Sequence, residues 1–377
     1  MNRPRIPFLS LAPSSPGAAA GGAGNGEPDV RDAIDRVISR GWFVLGPEVD
    51  AFESEFASAM GASHAVGVGS GTDAIALILR ALNIGPGDEV ITSPLSAAFT
   101  ALAVMMAGAR PVFADVDPSR LTIDPEEAAR AITPLTRAIL PVHLYGQPAD
   151  MTAIERLAAR HNLAVVEDCC QAHLATAGGR PVGSIGIAGA FSFYPTKNLG
   201  AMGDGGAVVT NDRPLADRIR RLRNGGQRDR YRHDEFGVNS RLDEMQAAIL
   251  RARLPRLPGW TARRRAIAAA YRSALADGPV EVPHEHDAGH VYHLFVVRVR
   301  GRAELQSHLM SRGIETFVHY PVPIPRQPAM AGVNAHDCPV AARVCDEVLS
   351  LPLHPGLTDN DVAEVVAALK GHYACVR

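Results

Sequence analysis

"HAVGVGSGTDAIALILRAL", His64 to Leu82, reads as a short strand that turns through Gly-Ser-Gly into a helix. From here onward runs rich in Val, Ile and Phe alternate with helical segments, the pattern of a sheet built from crossover units. The further strands are "EVITS", "RPVFADV", "RAILPVHLY", "LAVVEDC", "IAGAFSFY" and "GGAVVTN". Several are almost wholly apolar, as strands covered by helices on both faces must be. "GGAVVTN" follows "IAGAFSFY" too closely for a crossover helix, so that pair is expected to be antiparallel or separated in the sheet.

Upstream lie two helical patterns, "VRDAIDRVISRG" and "VDAFESEFASAMG", each closed by a glycine. Before them Ala12 to Pro28, rich in Ala, Gly, Pro and Ser, reads as a flexible surface segment. Downstream, "PRLPGW" breaks the pattern between the helices "SRLDEMQAAILRARLP" and "TARRRAIAAAYRSALA". The remainder offers a strand "VYHLFVVRVR", a helix "RAELQSHLMSRG", a strand "ETFVHY" and a terminal helix. These divide the chain into an arm (1–28), a large α/β domain (29–256) and a small α+β domain (257–377).

The 377 residues, 46% hydrophobic, suffice for a substantial core. A formal charge of -2, from 38 basic and 40 acidic residues, speaks against nucleic acid or an anionic membrane as partner. No window approaches the about 18 to 20 apolar residues of a membrane span, and no secretory signal is evident, so a cytoplasmic protein is expected. The five cysteines have neither the number nor the spacing of a disulfide framework or zinc site.

Three constellations carry chemistry. "GSGTD", Gly69 to Asp73, places backbone N–H groups and hydroxyls at the positive end of a helix, where a phosphate can bind, although a simple N-cap reads the same way. "VVEDCCQAH" ends a hydrophobic strand in Asp168, at the strand end where ligands of open α/β sheets collect. Asp168 fits a partner for a protonated ring nitrogen, a helix cap or a metal ligand. "FSFYPTKNLGAMGDGG" sets Lys197 in a glycine-lined loop whose dryness favours the neutral, nucleophilic amine; by itself it also fits a lysine snorkelling past apolar neighbours. Together the three are the parts that hold pyridoxal 5'-phosphate: cup, ring-nitrogen acid and imine-forming lysine.

With "GWFVLGPEVDAFE", "PVHLYGQPADM", "RNGGQ", "GVNSRLDEMQAAIL" and "HYPVPIPRQPAM", these motifs resemble the sugar aminotransferases of the DegT/DnrJ/EryC1/StrS group, in order from about Arg40 to Met330. The resemblance implies fold type I, with a mixed, mainly parallel seven-stranded sheet between helices. It implies that Lys197 forms the internal aldimine and shuttles the proton, Asp168 pairs with the pyridine nitrogen and Gln171 meets the phenolic oxygen. Gly71, Thr72 and Ser192 would hold the phosphate, with Asn239 completing it from the second subunit of a homodimer. Arg241, His319 and Tyr320 would contact substrate, and no metal is implied. The expected reaction moves an amino group from an amino acid, glutamate first, to a nucleotide-linked keto sugar. A keto-cyclitol acceptor is one alternative, and a non-catalytic regulatory protein that binds the cofactor is another.

Two positions depart from the group. Ala97 stands where an aromatic residue usually stacks on the cofactor, leaving Phe99 as a substitute, and Leu174 stands where glycine is expected after "QAH", which would narrow the substrate pocket. Dehydrating relatives carry histidine in place of the lysine, so Lys197 favours transamination.

Overall fold

The computed structural model describes residues 4–10, 30–278, 280–333 and 337–374. The segment Ala12 to Pro28 and Cys375 lie outside them. Helices α1 (Arg31–Arg40) and α2 (Pro47–Ala59) lead into β1 (His64–Val68) and α3 (Gly71–Ala81). There follow β2 (Glu89–Thr92), α4 (Phe99–Met106), β3 (Arg110–Phe113), α5 (Pro125–Arg130), β4 (Thr136–Leu140), α6 (Met151–His161) and β5 (Ala164–Asp168). A small hairpin, β6 (Thr176–Ala177) with β7 (Arg180–Pro181), precedes β8 (Ala188–Ser192), β9 (Gly206–Thr210) and α7 (Arg213–Leu222). All seven major strands expected from the sequence form one sheet, in the order β1-β9-β8-β5-β4-β2-β3. β9 alone runs antiparallel to its neighbours, as its short link to β8 requires.

Alternation along the strands builds two cores. Ala65, Val165, Phe191 and Val209 face one layer with α2 and α6. Val66, Val166, Ala190 and Val208 face the other with α3 and α7.

A second hairpin, β10 (Gln227–Asp229) with β11 (Arg232–His233), leads to α8 (Glu244–Arg253) and the long α9 (Leu257–Leu275). Leu257 and Trp260 of α9 pack in the first core, whereas Ile267, Tyr271 and Leu275 belong to a separate C-terminal core. That core also takes Ile6, β12 (Phe295–Arg298), α10 (Arg302–Ser311) and α12 (Asp359–Ala374), and α11 (Pro339–Glu347) packs alongside.

The expected strand "ETFVHY" does not form. β12 pairs with β13 (Val348–Leu351), a run the sequence reading passed over. Phe317 makes a single bridge to Ser350. Beyond it the chain is drawn off toward the main sheet: the His319 carbonyl accepts the Tyr145 hydroxyl, and the Tyr320 hydroxyl accepts from Gln171 Nε2 at 3.1 Å. A ladder cannot extend where its next residues are held elsewhere.

Candidate active site

Register brings the three constellations to one edge of the sheet. Val68, the last residue of β1, pairs with Gly206, which pairs with Ser192 at the end of β8. Asp168, closing β5, lies opposite Ala190 of the same β8. The loop after β8 carries Lys197 and is closed by the Ala201 N–H on the Phe193 carbonyl at 2.7 Å.

The turn into α3 is held tightly against these strand ends. A Cβ on Gly206 would lie 2.3 Å from the Ser70 carbonyl carbon, and one on Gly71 would lie 2.5 Å from Cys170 Sγ and 2.9 Å from Ser192 Cβ. Ser70 caps α3 by accepting the Asp73 N–H at 3.1 Å. Gly71 and Thr72 precede the first intrahelical donor, and no protein acceptor for their N–H groups is found among the described residues. Two spare donors at a positive helix end, with Ser192 packed against Gly71, suit a phosphate.

Asp168 is buried, and its carboxylate is aimed by two donors: Thr100 Oγ1 reaches Oδ2 at 2.8 Å and the Cys170 N–H reaches Oδ1 at 3.1 Å. Ser96 Oγ lies 3.1 Å from Thr100 Oγ1, so the segment that bears Ala97 arches over Asp168. Ala97 is half-buried, while Phe99, opening α4, is exposed.

Lys197 is half-buried beside Asp168 and Cys170. Burial lowers the pKa of its ammonium, and those two neighbours oppose the shift without cancelling it. No hydrogen bond or ion pair to its amine is found among the described residues. Nearby His319 is held neutral, with its pKa lowered to about 4 by burial and by Lys197. His173, packed among Phe56, Phe191 and Phe193, is lowered to about 3. The Cys170 thiol is pushed up by burial and by Asp168, which keeps it protonated and unreactive.

Gln171 accepts the Tyr145 N–H at 2.7 Å and donates one amide hydrogen to Tyr320, and no acceptor for the other amide hydrogen is found among the described residues. Arg241 and Asn239 are not drawn into this cluster. Arg241 donates to Asn224 Oδ1 at 2.8 Å, and Asn239 is exposed on a bridge to Asn224. Between them Ser240 accepts the Gly69 N–H and donates to Asp73, tying this strip to the start of α3.

A second buried group, His143, Glu167 and Cys169, has the proximity of a metal site. The donor atoms of His143 and Glu167 are already engaged, and burial with the neighbouring carboxylates holds the Cys169 thiol protonated. Glu167 takes the His143 ring at 3.0 Å and the N–H groups of Gly183, Ile185 and Gly186, and His143 Nδ1 accepts from Ala149. This cluster pins the loop before β8.

Residues 26–370 match the model of the DegT/DnrJ/EryC1/StrS aminotransferase family. The chain belongs to this family. A Streptomyces venezuelae relative, dTDP-3-amino-3,4,6-trideoxy-alpha-D-glucose transaminase, is 50% identical over 374 residues, covering 97% of this chain and 96% of its own. The crystal structure of S. venezuelae DesV with a ketimine intermediate superposes with a TM-score of 0.91 at 48% identity, covering 98% of each chain. That of Bacillus subtilis NtdA with the cofactor PMP gives 0.86 at 32% identity, over 92% of this chain and 81% of the other.

In this aminotransferase the Leu174 departure has a visible consequence. Leu174 has φ 64, the left-handed region where glycine is at ease, and its side chain packs on the first core. Thr100, Tyr145, Asn198 and His293 are site neighbours that the sequence reading missed. Each contributes through a tertiary contact without a local motif of its own.

Proposed function

We propose that this aminotransferase transfers an amino group from an amino acid, glutamate first, to a keto sugar carried on dTDP or UDP, with pyridoxal 5'-phosphate as cofactor. The observation that carries the reading is the meeting of Lys197, Asp168 and the Gly71–Thr72–Ser192 cradle at one sheet edge. Bound there, the cofactor supplies an electron sink that stabilises negative charge developing on the substrate carbon.

The protein's part is to hold and to move protons. Gly71, Thr72 and Ser192 would hold the phosphate. Asp168, steadied by Thr100 and Cys170, would pair with the pyridine nitrogen, and Gln171 would offer its remaining amide hydrogen to the phenolic oxygen. Lys197, favoured as a neutral amine by burial, would be the attachment point for the cofactor and the group that moves the proton at Nζ. His319, Tyr320 and Arg241 are assigned to substrate. The small Ala97 leaves one ring face open to a substrate group or to Phe99.

Asn239 is assigned to the phosphate of a second subunit, which its exposure permits. The homodimer is supported by exposed Trp42, Phe43, Val44 and Met202 around the start of α8, where Val44 bridges Asp243 and the Met202 N–H reaches Gln246. In this arrangement the domain of residues 29–256 holds the cofactor, the domain of residues 257–377 contributes His319 and Tyr320, and the protein works in the cytoplasm. Incubating the loaded protein with glutamate and a dTDP-linked keto sugar should release 2-oxoglutarate. Turnover only with a free keto-cyclitol would redirect the substrate assignment, and no turnover with any acceptor would favour a regulatory role.

A further inference from the structure

Asn198, the residue after Lys197, is buried, and both ends of its amide are engaged by one strip of the C-terminal half. Its Nδ2 donates to the Val291 carbonyl at 3.3 Å, and its Oδ1 lies 3.2 Å from His293 Nδ1. Because the amide nitrogen is turned to Val291, the oxygen faces His293, and Nδ1 of that ring must carry the hydrogen.

The strip is itself fixed. Arg264 of α9, buried, donates through Nη1 to the carbonyls of Tyr292, His293 and Leu353 at 3.0–3.2 Å. On the other side, the Val291 N–H reaches the Gly146 carbonyl and the Leu294 N–H the Tyr145 carbonyl. Tyr145 in turn donates its N–H to Gln171. A continuous set of hydrogen bonds therefore runs from α9 through 291–294 to the residue beside Lys197.

We propose that His293 is a positioning residue for the amino-transfer reaction, acting through Asn198 to hold the Lys197 loop in the geometry that attacks and moves the proton. This rests on the assignment of Lys197 above. The ring is suited to the task because it stays neutral, so its Nδ1–H remains a fixed donor without adding charge. Burial comes first among the causes, followed by the cationic groups of Lys197 and Arg264.

The test compares His293→Phe, His293→Asn, Asn198→Ala and the double variant His293→Phe/Asn198→Ala. Misplacing a reacting group slightly costs up to about a hundredfold. His293→Phe and Asn198→Ala are expected to lower kcat by about tenfold or more, with KM for the nucleotide sugar within about twofold. The appearance of the covalent pyridoxal phosphate band after mixing with cofactor-free protein should slow by a similar factor. His293→Asn, which still presents an N–H to Asn198, should recover most of both rates. The double variant should be no worse than the poorer single one, because the two act in series. Wild-type attachment rate and kcat in folded His293→Phe would overturn the proposal, as would fully additive losses or a His293→Asn no better than His293→Phe. Lys197→Ala separates the two readings: if it keeps wild-type turnover, the assignment of Lys197 fails first.

Discussion

Gly71→Ala tests the cradle through a single methyl group. The new Cβ would stand 2.5 Å from Cys170 Sγ and 2.9 Å from Ser192 Cβ, both far inside van der Waals contact. Backbone strain is not the issue, since Gly71 is helical. The thiol can turn aside, but Ser192 Cβ is fixed by the β8–β9 pairing of Ser192 with Gly206. The start of α3 must therefore move away from Ser192 by several tenths of an ångström, at an overpacking cost of about 1–3 kcal/mol. That movement separates the Gly71 and Thr72 donors from the Ser192 hydroxyl. Loss of one charge-assisted hydrogen bond to a phosphate is worth about 1.5–3 kcal/mol, or about a 10- to 150-fold rise in cofactor Kd. Spectrophotometric titration of cofactor-free protein with pyridoxal phosphate reads this directly. Gly71→Ala/Cys170→Ala should recover little, because the immovable neighbour is Ser192. A folded Gly71→Ala protein with Kd within twofold of wild type would refute the reasoning.

Leu174→Gly should change stability by no more than about 1 kcal/mol, because relief of a left-handed leucine (about 1–2 kcal/mol) offsets the lost partial burial. Urea unfolding measures it, and a loss above about 3 kcal/mol would count against that balance. Acid stability follows from five histidines whose pKa burial lowers: His173 and His290 to about 3, His319 and His354 to about 4, and His293 well below its ordinary value. The unfolded chain binds their protons near pH 6.5 and the folded chain does not, so stability is full above that value. It falls as pH drops toward 4, with uptake of about four to five protons on unfolding at pH 5 from these groups. Unfolding followed from pH 8 to 4.5 should show that slope, and a flat profile would contradict it. Trp42→Glu, at an exposed apolar patch, should shift a dimer toward monomer in sedimentation velocity. A monomeric wild type would remove the proposed interface.

The sheet was legible because several of its strands are almost wholly apolar and its short β8–β9 link leaves no room for a helix. "ETFVHY" misled because His319 and Tyr320 are taken by Tyr145 and Gln171, contacts that no local pattern encodes. The placement of Asp168 at a strand end and of Lys197 in the loop after a strand was readable from the sequence. Their supports were not, since Thr100 lies 68 residues from Asp168 and His293 95 from Asn198. One signal went unused: the sequence has only two lysines, Lys197 and Lys370, against an abundance of arginine. A chain that otherwise answers its need for positive charge with arginine retains lysine where an amine of adjustable pKa is required.

That scarcity makes the decisive measurement clean. Cofactor-free protein, incubated with pyridoxal phosphate, reduced with borohydride and digested, should carry the phosphopyridoxyl mass on the peptide containing Lys197. Lys197→Ala should carry none there and should fail to release 2-oxoglutarate from glutamate. Label confined to Lys370, exposed on α12, or amino transfer undiminished in Lys197→Ala, would contradict the account.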